Sequence, residues 1–502
     1  MKSLLCATLD GFEAQQVVVE VSITSGLPSF SIVGLVSTAI SEAKERVKSA
    51  LAHSNFRFPP KKITLNLSPS ELQKSGSHFD LPIALLIALE NTTHSLDGWY
   101  VFGELGLDGS IKESRYIYPL ILSLAKQNKL SKVIVPKEAL TKLSKIPQVE
   151  LYGFATLQEV LEAFQNNTFT PSVKQTKEEY PFIDVGQKKY YYTQEYTKDF
   201  LDIKGQAIAK RAALIAATGW HNLLLEGSPG CGKSMIAQRL FEILPPLSQE
   251  EILEIAKIKI LSAKEADFLP KRPFIAPHHS ATKAAIFGGG SKNAQVGEVA
   301  LAHLGELFFD ELPHFSKSIL EALREPLQDK KIRISRVHSK IEYQSDFLFV
   351  AALNPCPCGN LLDETKECRC SDVEIQRYKN KLSDPFLDRI DLFVVMQKVS
   401  SADQASVSSK ELHQQVLEGF MFQKQRGQQN FNANLSEAEI ETFCLLDEDA
   451  QAVLDMAIKR YALSFRSINS IKKVARTIAD LAKEHTISKT HILEALSFRR
   501  RG

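Results

Sequence analysis

The stretch HNLLLEGSPGCGKSMIAQRL contains the spacing G-x-x-x-x-G-K-S between Gly227 and Ser234. Gly227, Gly230 and Gly232, with Ser228, Pro229 and Cys231 between them, let backbone N–H groups turn inward around phosphate oxygens. The positive end of the helix that follows adds to the same field. Lys233 then reaches β- and γ-phosphates and Ser234 a magnesium ion, so the loop predicts ATP and Mg²⁺ as ligands. An apolar run at 223–225 enters the loop and a helical pattern leaves it, which is the context a phosphate loop needs. Cys231 stands at a free position of the loop and reads as a small filler.

A second strand must carry acid to the metal and to water. In GELFFDELPHF, residues 307–309 form a buried strand, Asp310 orients Mg²⁺ through its water shell, and Glu311 polarises the attacking water. A third strand, DFLFVAALN, ends on Asn354, a polar tip suited to sensing the γ-phosphate. In LSDPFLDRIDLF, Arg389 follows a turn containing Pro385. Its own phosphate loop has no evident need of it, so it reads as a finger for a neighbouring subunit's site; a surface pair with Asp388 or Asp391 is the bland alternative. In ALSFRSINSIKKVARTIADLA, Ser464 caps a helix whose first turn holds Arg466, placed to reach back to the phosphates. Arg476 is the weaker candidate, and a salt-bridged helix face is the alternative for both.

Four of the seven cysteines fall in LNPCPCGNLLDETKECRCS, at 356, 358, 368 and 370. Thiol–disulfide exchange would favour C-x-x-C at a helix start, which this segment lacks. Two pairs joined by one short loop close a tetrahedral four-sulfur shell, which suits a structural Zn²⁺. A closed shell does not catalyse. It is expected to stiffen the loop that follows Asn354.

These residues need a scaffold, and 502 residues allow two or three domains. The predicted class is α/β. Residues 1–165 mix strand-like runs with apolar helical ones, as a compact α/β domain does. Residues 166–200 are polar without a sustained period and read as a linker. Residues 201–395 alternate helices with buried strands around the phosphate loop, and residues 396–502 carry helical spacing, a helical lid. Two insertions interrupt the core. Residues 273–303 end in the flexible tip 288–290 and contain His278 and His279, whose spacing does not suit a metal. Residues 330–344 form a hairpin with Lys330, Lys331, Arg333, Arg336 and Lys340 and no acid between 330 and 340.

A net charge of +2 gives no global basic field, so this hairpin is the densest local cationic patch and the candidate DNA contact. Aromatic residues for base stacking are sparse there, which favours tracking of the phosphate backbone. No run is long enough for a membrane span or a signal segment, and the odd cysteine count argues against a secreted framework. The chain reads as cytoplasmic, without a membrane partner.

Residues 201–502 resemble the magnesium-chelatase-like branch of AAA+ ATPases, the YifB/ComM family. The likeness rests on GSPGCGKS, RPFIAPHHSATKAAIFGGG, VGEVALAH, LFFDELPHF, ALREPLQDKKIRISR, ALNPCPCGN, LSDPFLDRIDLF and KVARTIADLA. The resemblance implies a ring, a homo-hexamer, with ATP bound between subunits. It implies Asn354 as sensor 1, Arg389 as arginine finger, Arg466 as sensor 2 and the 330–344 hairpin as a pore element. Residues 1–165 resemble a Lon-protease-like domain, through GLPSFSIVGL and LSPSELQKSGSHFDLPIALLIALE. That match puts Asp80 at the place of the nucleophilic serine and Tyr118 near that of the lysine, so an inactive binding or ring-building domain is expected. Resemblance to ComM implies a ring motor on branched or single-stranded DNA, with branch migration during natural transformation. A chelatase subunit and an ATP-dependent assembly regulator are the competing classes. The chain has no D-x-S-x-S signature of the metal-ion-dependent adhesion domain that a chelatase machine also needs, and Glu311 and Arg389 weigh against a regulator.

Overall fold

The computed structural model describes residues 2–92, 95–172, 180–289, 296–335, 340–363, 365–398 and 404–499. The chain divides into two compact units. The first comprises Met1–Glu179 with Ala256–Asp267 and Ser335–Glu342; the second comprises Tyr180–Ile255, Phe268–Ile334 and Tyr343–Gly502.

The first unit is built on a seven-stranded mixed sheet. Its strands run in the order Ser29–Val33, Lys62–Ser68, Glu13–Thr24, Ser3–Asp10, Trp99–Val101, Lys132–Pro136 and Glu150–Phe154. Alternation along Glu13–Thr24 turns Val17, Val19 and Val21 into the core and leaves the residues between them more open. The helix Asp80–Ala88 is buried from Asp80 to Ile87, as a helix apolar on all sides must be.

The second unit holds a five-stranded parallel sheet, ordered Phe274–Ile275, Glu306–Phe309, Leu348–Leu353, Leu223–Gly227 and Leu392–Met396. Glu306–Phe309 and Leu348–Leu353 are buried at every position, because helices cover both faces of a parallel sheet. Leu223 lies opposite both Val350 and Leu392, and Phe309 lies opposite Ala351, so the carboxyl ends of these strands finish close together. The helical region expected at the C-terminus is present: Ser409–Gln425, Glu437–Phe443, Glu448–Tyr461, Phe465–Leu481 and Lys489–Ser497. Capping boxes at Ser408 and Ser436 start two of them. Ile471, Val474, Ala475 and Ile478 pack with Leu412 and Val416 in the same core as the sheet.

Two boundaries differ from expectation. The stretch 166–200 is not all linker: Phe182–Val185 and Lys188–Tyr191 pair antiparallel, and Lys188–Tyr191 continues onto Leu247–Ser248. Four-residue strands are too short to show a period. The 273–303 insertion adds Phe274–Ile275 as an edge strand beside Glu306–Phe309, followed by short helices at Lys283–Phe287 and Glu298–Leu301. Of its glycine tip, Gly290 lies outside the described residues. The cationic hairpin forms as expected, from Lys331–Ser335 and Lys340–Gln344, with its turn outside the described residues. Among the described residues no helix is long and apolar enough to cross a membrane.

Candidate nucleotide site and four-cysteine loop

Ligands of parallel sheets sit beyond the carboxyl ends of the strands, and three strand tips deliver the site here. Leu223–Gly227 feeds the phosphate loop, Glu306–Phe309 ends at Asp310, and Leu348–Leu353 ends at Asn354. Gly230 and Gly232 both take left-handed backbone, at φ +82 and +97, as the sequence reading of the loop requires. A Cβ on Gly230 would meet nothing within 4 Å, so its glycine is needed for the turn and not for want of room. Gly232 then turns the chain into the helix Lys233–Leu240. Gly227 is needed for a different reason: a Cβ there would lie 2.7 Å from both Cys231 Sγ and the Met396 carbonyl oxygen. Cys231 is thus the buried filler that the sequence suggests.

The Lys233 ammonium donates to the Gly227 carbonyl at 2.6 Å, the Ser228 carbonyl at 3.1 Å and Asn354 Oδ1 at 3.1 Å. Ser228 Oγ is buried and has no partner among the described residues. An unsatisfied hydroxyl beside a caged ammonium, at a helix start, fits a phosphate group.

Ser234 Oγ donates to Asp310 Oδ2 at 2.7 Å, bringing together the hydroxyl and carboxylate that would hold Mg²⁺. Asp310 Oδ1 accepts the Glu311 N–H at 2.9 Å. Glu311 sits at φ +50, a left-handed conformation that swings its carboxylate out of the strand line. Its Oε2 lies 3.8 Å from Nδ1 of both His279 and His314. Sequence reasoning missed this pair of histidines beside Glu311. The dipeptide at 278–279 was visible, but nothing in the spacing pointed it at Glu311.

Arg389 and Arg466 come together elsewhere. Arg389 Nη2 donates to Gln328 Oε1 at 2.6 Å, and its Nη1 donates to the Pro385 carbonyl. Arg466 Nη2 donates to the same Gln328 oxygen at 3.0 Å. Both line a cleft of about 660 Å³ with Trp220, Lys330 and Lys473, and no residue of the phosphate loop lines it. Arg466, expected to reach back to the phosphates, thus stands beside Arg389 at Gln328. Ser464 caps the helix as expected, accepting from Ser467 N–H at 3.3 Å, but this fixes where the helix starts and not which face its first turn presents. The surface pair between Arg389 and Asp391 does not form, because Asp391 accepts from Asn222 N–H and Ser470 Oγ. Arg476 is fully buried, bonded to Asp480 at 3.0 Å, and is structural.

On the hairpin, Lys330 is tied at the base: its Nζ lies 3.4 Å from Asp346 and its carbonyl accepts the Ser345 N–H. Ile332 is buried while Lys331 is half-buried and Arg333 exposed, as alternation along a strand requires. Lys340 starts the return strand, and Arg336 lies outside the described residues.

The four thiols converge. The Sγ atoms of Cys356, Cys358, Cys368 and Cys370 all lie within 4.8 Å of one another. Cys356 is 3.4 Å from Cys358 and 3.6 Å from Cys368, and Cys358 is 3.6 Å from Cys368. Zn–S bonds of about 2.3 Å in a tetrahedron put sulfurs about 3.7 Å apart, so the donor set fits Zn²⁺. The Cys358 N–H points at Cys370 Sγ at 3.4 Å. Backbone N–H groups of Asn360 and Arg369 draw the Cys358 thiol down, while the neighbouring thiols push Cys368 and Cys370 up, as expected of a crowded sulfur cluster.

In the first unit no serine–lysine pair occupies the matched positions. Asp80, fully buried, takes a two-pronged bond from Arg46, Nε to Oδ2 at 2.6 Å and Nη2 to Oδ1 at 3.0 Å. Tyr118 is buried, which pushes its phenol well above the ordinary value. Ser77 donates to Glu104 and Lys74 to the Pro69 carbonyl.

Comparison with known proteins agrees with this geometry. The family model described as magnesium chelatase, subunit ChlI, matches residues 199–404. Those for subunit ChlI of Mg-chelatase and for the ChlI C-terminal region match 19–139 and 406–499. The chain is 37% identical over 499 residues to competence protein ComM of Haemophilus influenzae, covering 97% of this chain and 95% of the relative. It is 39% identical over 505 residues to the uncharacterized protein YifB of Salmonella typhimurium, and 38% over 506 residues to YifB of Escherichia coli, with the same coverage. With near full-length identity to these proteins and a phosphate loop, acidic pair and polar strand tip assembled on one sheet, the chain belongs to the YifB/ComM family of magnesium-chelatase-like AAA+ ATPases.

Proposed function

We propose that this ATPase works as a homo-hexameric ring that spends ATP on moving DNA, in branch migration of recombination intermediates during natural transformation. The observation that carries this reading is the separation of Arg389 and Arg466 from the phosphate loop of their own chain. A site holding Lys233, Ser234, Asp310 and Glu311 without an arginine is completed when a neighbour presents its paired arginines. Lys331 and Arg333, with Arg336 and Lys340, would follow DNA phosphates in the pore. A relative named for competence supports the recombination role, and DNA as substrate implies a cytoplasmic ring. Zn²⁺ in the four-cysteine shell completes the cofactor set beside ATP and Mg²⁺. A chelatase subunit is the second reading, favoured by the description of the matching family model.

A labelled four-way DNA junction separates them. Resolution of the junction with hydrolysable ATP, and its loss in Glu311→Gln, is the expected result. ATP turnover that no DNA alters would reject the motor.

A further inference from the structure

The four-cysteine loop reaches back to the phosphate loop. Gly359, next to Cys358, adopts φ +78, and a Cβ placed on it would lie 2.6 Å from Cδ and 2.7 Å from Cγ of Pro229. Bare backbone of the cysteine loop thus lies flat against the ring of a phosphate-loop residue, at a separation no other residue type allows. The same Cβ position is 3.8 Å from Cγ of Asn354, the side chain that holds Lys233. The contact therefore touches the cradle on two sides.

What holds Gly359 there is the knuckle itself. The Gly359 N–H donates to the Cys356 carbonyl at 3.0 Å, inside the first cysteine pair. Between Leu353 and Asp372 the described residues form no helix or strand. Leu361 and Leu362, the loop's large apolar residues, are 39% and 44% exposed, so no apolar core fixes the loop. Two ties shape it: Lys398 holds Asp363 at 2.5 Å and Thr365 Oγ1 at 2.9 Å farther along, and beside Gly359 four sulfurs are drawn within 4.8 Å. Thiolates that close repel unless a cation sits among them.

We propose that Zn²⁺ bound by Cys356, Cys358, Cys368 and Cys370 acts as a clamp on the phosphate loop, pressing Gly359 onto Pro229 so that nucleotide affinity depends on the metal. This rests on the zinc reading of the cysteines given above and adds its consequence. Pro229 suits the role because its fixed φ leaves the loop one fewer freedom and its ring offers a flat apolar face. A loop preorganised in this way does not have to be ordered when phosphate binds, and the difference appears as affinity.

The test uses the full-length chain, with zinc counted by mass spectrometry and affinity measured by titration with a fluorescent ADP analogue. Wild type should hold about one zinc per chain. Cys368→Ser should lose it and bind ADP on the order of tenfold more weakly, a difference of about 1.4 kcal/mol. Pro229→Ala should keep its zinc and show a comparable loss, so the effect does not rest on a variant that disturbs the knuckle. Because both substitutions break one contact, the double variant should be no weaker than the worse single one. Zinc-free protein that binds ADP at full strength, or losses that add, would overturn the clamp while leaving the ATPase reading intact. A zinc-loaded wild type that binds no nucleotide would overturn the ATPase reading and the clamp with it.

Discussion

Arg389 and Arg466 donate to one oxygen, Oε1 of Gln328, at 2.6 and 3.0 Å. Two guanidinium groups converging on a neutral acceptor repel each other. Desolvation first, and then Arg466, lower the Arg389 guanidinium below its ordinary value. An anion brought to that point relieves the repulsion, and in the proposed ring the triphosphate of an adjacent subunit would be such an anion.

Arg389→Ala should therefore lower kcat by about a thousandfold, the scale of an arginine finger, while nucleotide affinity changes little. Mixing this variant with Lys233→Ala offers a sharper measurement. Each protein alone should be inactive. Together, subunits that keep the phosphate loop receive arginines from subunits that keep Arg389, and part of the turnover should return. No recovery on mixing, with hexamers formed, would mean that the arginine acts within its own chain.

Glu311 stands where the base is expected, and one of its carboxylate oxygens lies 3.8 Å from each of two histidines. Glu311→Gln should reduce turnover by about two to four orders of magnitude and leave ATP binding in place. His279→Ala and His314→Ala each remove an imidazole that lies 3.8 Å from this carboxylate and would orient it. Each should lower kcat by about tenfold with little change in KM, since orientation acts in the transition state. Steady-state phosphate release checks all three, and histidine variants at wild-type rates would reduce the contacts to incidental ones.

The parts of this site legible in the sequence are those whose geometry is local. The phosphate loop, Asp310, Glu311 and Asn354 each stand at the end of an apolar run, and the end of a parallel strand is where ligands bind. Four cysteines within fifteen residues carry their own distance constraint. The meeting of Arg466 with Arg389 at Gln328 was not legible, because its direction is set by tertiary packing. The period of Phe465–Leu481 shows which face is buried, but not which element receives the first turn. His279 was unreadable for the same reason, since it meets Glu311 only after the insertion folds over the strand tips. His314 stands three residues past Glu311, and the short turn Leu312–His314 brings its ring back to the carboxylate. The edge strand Phe274–Ile275 is two residues long and leaves no periodic trace.

The Asp80–Arg46 pair makes a prediction about the first unit. Asp80 has no exposed side-chain surface and Arg46 keeps 22% of its own. Removing one partner of a buried pair strands the other, at a cost of about 3 kcal/mol, the lower end for a partner that water still reaches. Asp80→Asn should lower the urea midpoint of the first unit accordingly, and the wild-type chain should hydrolyse no peptide substrate. Peptide cleavage that a serine inhibitor blocks would contradict the assignment of this unit as inactive.

Glu306 provides a test that depends on pH. It opens the strand that carries Asp310, is completely buried, and neither carboxyl oxygen has a partner among the described residues. Burial holds its carboxyl well above the ordinary value of 4.5. In the folded chain the group keeps its proton over a window in which the unfolded chain has already released it. Folding therefore takes up a proton there, and stability falls as pH rises from about 4.5 toward the raised folded value. Glu306→Gln keeps the shape and removes the titration. It should melt higher than wild type near neutral pH, by about 1–3 kcal/mol if the carboxylate would otherwise be buried bare, and the gain should shrink as pH drops toward 4.5. Unfolding measured in urea at several pH values reads this directly. An equal difference between the two proteins at every pH would show that the Glu306 proton is the same in folded and unfolded chains.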